Sequence, residues 1–113
     1  MSKVTTHVLD VSQGRPAVNL PVLLETQSPD GAWSEAGRGA TDSDGRLKDL
    51  VAGKTLVAGI YRLTFDTGAY FASRNISGLY PKVIIIFEIK DAQEHYHIPL
   101  LLSPFGYSTY RGS

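Results

Sequence analysis

From Lys3 to Val11 the side chains alternate: Val4, Thr6 and Val8 share one side, and Thr5, His7 and Leu9 share the other. A period of two rich in β-branched residues dictates a strand, because a helix needs its apolar positions every 3.6 residues. The same pattern recurs along the chain and constrains it more than any other feature. Asn19 to Gln27 repeats it with Leu20, Val22 and Leu24 on one face. Tyr96 to Leu102 repeats it again: Tyr96, Ile98 and Leu100 form an apolar face, while His95, His97, Pro99 and Leu101 lie opposite.

Turn chemistry separates these runs. Gly14-Arg15-Pro16, Ser28-Pro29-Asp30-Gly31, Thr41-Asp42-Ser43-Asp44-Gly45, Asp91 to Gln93 and Ser103-Pro104 each interrupt the chain. Between them, Ala32 to Arg38, Leu47 to Leu50 and Leu56 to Phe65 read as further strands, and Phe105 to Ser113 as a last one. Val83 to Phe87 is apolar on both faces, which predicts a buried strand. Asp66 to Arg74 has room for two helical turns, with Asp66 or Thr67 as the cap. Seven or eight short strands and one short helix make an all-β fold, an antiparallel β-sandwich. At 113 residues, with no repeat or linker, residues 1–113 form a single domain.

Composition narrows the partners. Eleven Lys and Arg balance eleven Asp and Glu, so nothing attracts nucleic acid or an anionic membrane. The chain has no cysteine, which excludes disulfides, thiolate metal sites and a cysteine nucleophile. No stretch approaches the ~20 apolar residues that span a bilayer. The first residues carry no apolar core of a secretory signal, so the expected location is cytoplasmic.

Alternation also decides what the three histidines can do together. It turns His7 and His97 away from the core on their respective strands. If those strands are neighbours, the imidazoles meet on a face that also carries Leu9, Pro99 and Leu101. Apolar residues on a second face imply a cover, and another copy of the chain is the natural one. An imidazole buried there suits general acid–base work. A single strand histidine is more often a residue with no chemistry. The pair His95 and His97 also fits two ligands of a metal, with His7, Glu94 or Asp10 needed as a third. Arg46, just after a turn, is either a solvated arginine or a planar donor for an anionic or carbonyl-rich substrate. The closing Tyr110-Arg111-Gly112-Ser113 is either a frayed end or a segment packed into a site.

Several segments together resemble the transthyretin-related 5-hydroxyisourate hydrolases. They are Thr6-His7-Val8-Leu9-Asp10, Gly14-Arg15-Pro16-Ala17, Thr41 to Arg46, His95 to Pro104, and Tyr107 to Ser113 with its closing Tyr-Arg-Gly-Ser. The resemblance spans the whole chain. It implies a transthyretin-like sandwich of two four-stranded sheets with one short helix. It implies a homotetramer, a dimer of dimers, with sites at the interface between dimers. It implies hydrolysis of 5-hydroxyisourate to 2-oxo-4-hydroxy-4-carboxy-5-ureidoimidazoline in urate degradation, with no metal or other cofactor. The family's catalytic histidine, arginine and histidine fall on His7, Arg46 and His97. Its terminal tetrapeptide falls on Tyr110, Arg111, Gly112 and Ser113, which shape the substrate pocket.

Overall fold

The alternating segment at the start of the chain forms β1 (Lys3–Asp10), and its Val4, Thr6 and Val8 are buried. The computed structural model describes residues 3–113. The reading that the first residues carry no apolar core of a secretory signal falls partly on Met1 and Ser2, which lie outside those residues. β2 (Arg15–Pro16), β3 (Pro21–Gln27), β4 (Trp33–Ala40), β5 (Arg46–Leu47) and β6 (Gly59–Phe65) follow. Then come α1 (Thr67–Ala72), β7 (Val83–Ile89), β8 (His95–Ser103) and β9 (Gly106–Thr109).

These strands form two sheets. One runs β2-β1-β8-β9, with β5 also paired to β1; the other runs β4-β3-β6-β7. The sandwich architecture therefore matches the expectation from sequence. All pairings are antiparallel except β1 with β8, which is parallel from Lys3↔His95 to Asp10↔Leu102. That pair joins the two ends of the chain.

The inner faces meet in one core. Val4, Val8, Leu100 and Leu102 from the first sheet pack with Leu24, Leu63, Phe65 and Ile89 from the second. Each such burial contributes roughly 1.5–3 kcal/mol. Asp66 caps α1, its carboxylate accepting from the Ala69 N–H at 3.1 Å. The helix drives Tyr70 and Phe71 into the core, and the Tyr70 hydroxyl donates to the fully buried Asp10 at 2.8 Å.

Several boundaries move. Arg15–Pro16, expected to break the chain, pairs with the end of β1. The strand expected over Leu47 to Leu50 is only Arg46–Leu47, and the last strand stops at Thr109. The larger correction is β7. Val83 and Ile89 are buried, but Ile84 and Ile86 are exposed, Ile86 by 61%. Only one face of β7 packs on the core, so Ile84 and Ile86 on the other face lie at the surface; β7 is also the edge of its sheet. Among the described residues no helix is long and apolar enough to cross a membrane.

Candidate active site

The parallel register of β1 and β8 settles which outward residues meet. Thr5 lies opposite His97, Lys3 opposite His95, and His7 opposite Pro99. His7 and His97 are therefore diagonal neighbours on the outer face, offset by one pleat. On the other side of β1, Arg46 of β5 lies opposite His7. A row thus runs Arg46, His7, Pro99 across three strands, with Thr5 and His97 beside it.

The turn before β5 fixes Arg46. The Asp42 side chain accepts from the Asp44 N–H at 2.8 Å and the Arg46 N–H at 2.9 Å. Gly45 has φ +74°, and a Cβ there would stand 2.5 Å from the Val8 carbonyl oxygen. Glycine is required on both counts. The turn can press onto β1 only because of it, and that contact delivers Arg46 to the site.

Between these strands lies a hollow of about 200 Å³, lined by Lys3, Thr5, Thr6, Arg46, Lys48, His95, His97 and Ser113. His97 is half-buried and held below the ordinary imidazole value. Burial is the largest cause; electrostatic repulsion from His95, Arg46 and His7 adds to it, and a hydrogen bond with the Thr5 backbone acts against it. The ring is thus kept neutral and able to accept a proton at neutral pH. The charge field of the hollow is positive and suits an anionic or carbonyl-rich ligand.

The terminal tetrapeptide divides. Gly112 lies antiparallel to His97, and its N–H donates to the His97 carbonyl at 2.8 Å. This continues the register of β9 and holds the tail along the edge of β8, against His97 and the buried Pro99. Ser113 reaches the hollow. Arg111 instead pairs with Glu94 at 3.1 Å, donates to the His95 carbonyl at 3.2 Å and lies over the Tyr96 ring. Tyr110 is exposed and, with Arg111, borders a separate apolar cleft along β7 and β8 that includes Ile85, Phe87 and Ile98.

One ring nitrogen of each histidine in the His-x-His pair is engaged by Thr5. The Thr5 hydroxyl oxygen lies 2.8 Å from His95 Nε2 and 2.8 Å from His97 Nδ1. Among the described residues no group of three or more His, Cys, Asp and Glu side chains is arranged to hold a metal ion. Thr5, Lys3 and Lys48 are site residues that sequence reasoning passed over. Alternation had placed Thr5 on the face of His7, but a threonine in a strand carries no signal of its own.

Comparison with known proteins fits this geometry. The family model described as HIUase/Transthyretin family matches residues 4–112. A 5-hydroxyisourate hydrolase of Salmonella dublin is 46% identical over 110 residues, covering 97% of this chain and 80% of the relative. The structure of Klebsiella pneumoniae 5-hydroxyisourate hydrolase superposes with a TM-score of 0.88 at 36% identity, over 100% of both chains. Sea bream transthyretin in complex with thyroxine superposes with a TM-score of 0.92 at 30% identity, covering 97% of this chain and 94% of that one. The chain belongs to the HIUase/Transthyretin family.

Proposed function

We propose that this chain hydrolyses 5-hydroxyisourate to 2-oxo-4-hydroxy-4-carboxy-5-ureidoimidazoline, as a step of urate degradation. The observation that carries this reading is a neutral, half-buried His97 in the same hollow as Arg46. The names and near-complete coverage of the relatives support the choice of substrate.

His97 acts as general base on a water molecule, whose oxygen attacks a ring carbonyl. Arg46 donates to the oxygen that gains negative charge. The ring C–N bond then breaks, the leaving nitrogen takes a proton, and a carboxylate remains. His7, diagonal to His97 and opposite Arg46, orients the substrate or supplies that proton. Ser113 lines the hollow and Gly112 ties the tail to β8, while Tyr110 and Arg111 border the neighbouring cleft. The reaction needs no metal or other cofactor on this account.

The functional unit in this reading is a homotetramer, a dimer of dimers, with sites between the dimers. β7 and β9 end their sheets, and exposed Ile84, Ile86 and Tyr107 lie on them. Strand edges with apolar residues favour pairing with a second copy. The shallow hollow, with Leu9 and Leu101 half-buried on the same outward face, would be roofed by another copy. A cytoplasmic location belongs to the same proposal, supported by the lack of cysteine.

A carrier role is the second reading, since transthyretin with bound thyroxine has the same fold. Two imidazoles and a guanidinium on one face favour chemistry instead. The deciding experiment generates 5-hydroxyisourate with urate oxidase and follows its absorbance with and without this protein. Accelerated decay supports the hydrolase. Decay at the spontaneous rate, with saturable binding of an iodinated aromatic, supports the carrier.

A further inference from the structure

We propose that Thr5 is a positioning residue for the reaction: its hydroxyl couples His95 to His97 and fixes which nitrogen of His97 is free to accept a proton. The inference rests on the hydrolase reading and deepens it.

Thr5 sits on the outward face of β1, yet it is only 6% exposed. The register of β1 and β8 places it beside His97 and diagonal to His95. Its Oγ1 is 2.8 Å from His95 Nε2 and 2.8 Å from His97 Nδ1. The two ring centroids are 6.2 Å apart, so the hydroxyl spans a gap the imidazoles do not bridge directly.

A hydroxyl carries a single proton. Between two neutral imidazoles it donates to one nitrogen and accepts from the other. In the first arrangement, Thr5 donates to His95 Nε2 and accepts from the Nδ1–H of His97. His97 Nε2 is then bare and is the nitrogen that can take a proton from water. In the second, Thr5 donates to His97 Nδ1, and Nε2 carries the proton. His97 then has no free lone pair and is useless as a base. Thr5 therefore does for His97 what an orienting carboxylate does for the histidine of a catalytic triad, but with a neutral group.

The chemistry assigned to His97 requires the first arrangement, because only there does Nε2, the nitrogen that Thr5 does not engage, keep a free lone pair. His95 is exposed, and its Nδ1 is free to keep a proton while its Nε2 accepts from Thr5. A carboxylate in place of Thr5 would stabilise an imidazolium and raise the value that burial and neighbouring cations hold down.

The test uses the full-length, ¹⁵N-labelled protein, with imidazole nitrogen shifts and steady-state kinetics measured on the same preparations. Wild type and Thr5→Ser are expected to keep the proton of His97 on Nδ1 and to share one kcat. Thr5→Val keeps the β-branched shape but removes the hydroxyl. It is expected to move that proton toward Nε2 and lower kcat about three- to tenfold, the worth of one hydrogen bond, with KM little changed. His95→Ala alters an exposed residue and removes the far partner of the hydroxyl. It is expected to shift the His97 tautomer in the same direction, and it carries the test if Thr5→Val fails to fold. Wild-type tautomer and kcat in Thr5→Val, or in His95→Ala, overturn the proposal, as does Thr5→Ser behaving like Thr5→Val. A wild-type protein that does not speed the decay of 5-hydroxyisourate defeats the hydrolase reading instead, and the nitrogen shifts still report the coupling.

Discussion

The α-carbon of Gly112 is packed against the imidazole of His97, so that a single added Cβ would stand 2.5 Å from His97 Cδ2 and 3.2 Å from Pro99 Cγ. Alanine at this position must displace either the ring or the tail. Gly112→Ala is expected to lower activity by about tenfold to a hundredfold, as sub-ångström to ångström misplacement of a catalytic group does. The check is a kinetic comparison alongside a thermal melt, which should move little because the tail is at the surface.

Removal of the proposed base is expected to have a larger effect. His97→Asn is expected to cut turnover by about a hundredfold or more. Arg46→Ala is expected to cost a similar factor through the loss of a donor to the developing oxyanion. Both variants should melt near wild type, since Arg46 is exposed and His97 half-buried. Near-wild-type decay of 5-hydroxyisourate in a folded His97→Asn variant removes the assignment.

The pH profile follows from the direction of the His97 shift. Its folded value lies below the ordinary 6.5, so His97 stays neutral down to a lower pH than a free imidazole would. The acid limb of kcat/KM is expected below pH 6.5. Stability has the same sign: the unfolded ring binds its proton first as pH falls. The contribution is therefore full above 6.5 and lost as pH drops through the folded value. Added salt screens His95, Arg46 and His7 but leaves burial intact, so the limb should move part of the way back toward 6.5.

Tyr70 and Asp10 test the scaffold apart from the site. Burial, the bond to Asp10 and its charge push the Tyr70 hydroxyl up to about 12, so it remains a donor at all ordinary pH. Tyr70→Phe removes one of the bonds to a fully buried carboxylate, which also accepts from the Ser12 and Gln13 N–H groups and the Ser12 hydroxyl. The expected loss is about 1.5–3 kcal/mol of stability in denaturant titration, with kcat unchanged below the melting transition.

The outward residues of β7 test assembly. Ile86→Lys places a charge on an exposed apolar edge. Sedimentation should show a smaller particle than wild type, and activity should fall if a second copy roofs the hollow. An unchanged particle size would separate β7 from the assembly.

Much of the fold and part of the site were legible because the strand period is short and local. Alternation alone turned His7 and His97 outward and Tyr96, Ile98 and Leu100 inward, and a packed sandwich leaves no other choice for them. What escaped depends on neighbours far along the chain. Val83 to Phe87 looks the same whether its second face is covered or open, so the open face of β7 could not be recognised. Arg15–Pro16 is too short to show any period. The direction of Arg111, toward Glu94 and Tyr96, is decided by contacts 15 to 17 positions away. The role of Thr5 depends on partners 90 and 92 positions away.

The parallel pairing of β1 and β8 has a consequence for the protein during its synthesis. β1 is made before the other strands of the sandwich, but the strand that completes its hollow comes last but one. Until then its outer edge has only short β2 and β5 to lean on, and its other edge has nothing. A nascent chain arrested before His95 has no hollow at all, whatever else has folded. Contacts that far apart also close slowly. The hollow is therefore withheld until β8 has been made, and a product interrupted before it lacks the proposed site entirely rather than holding half of it.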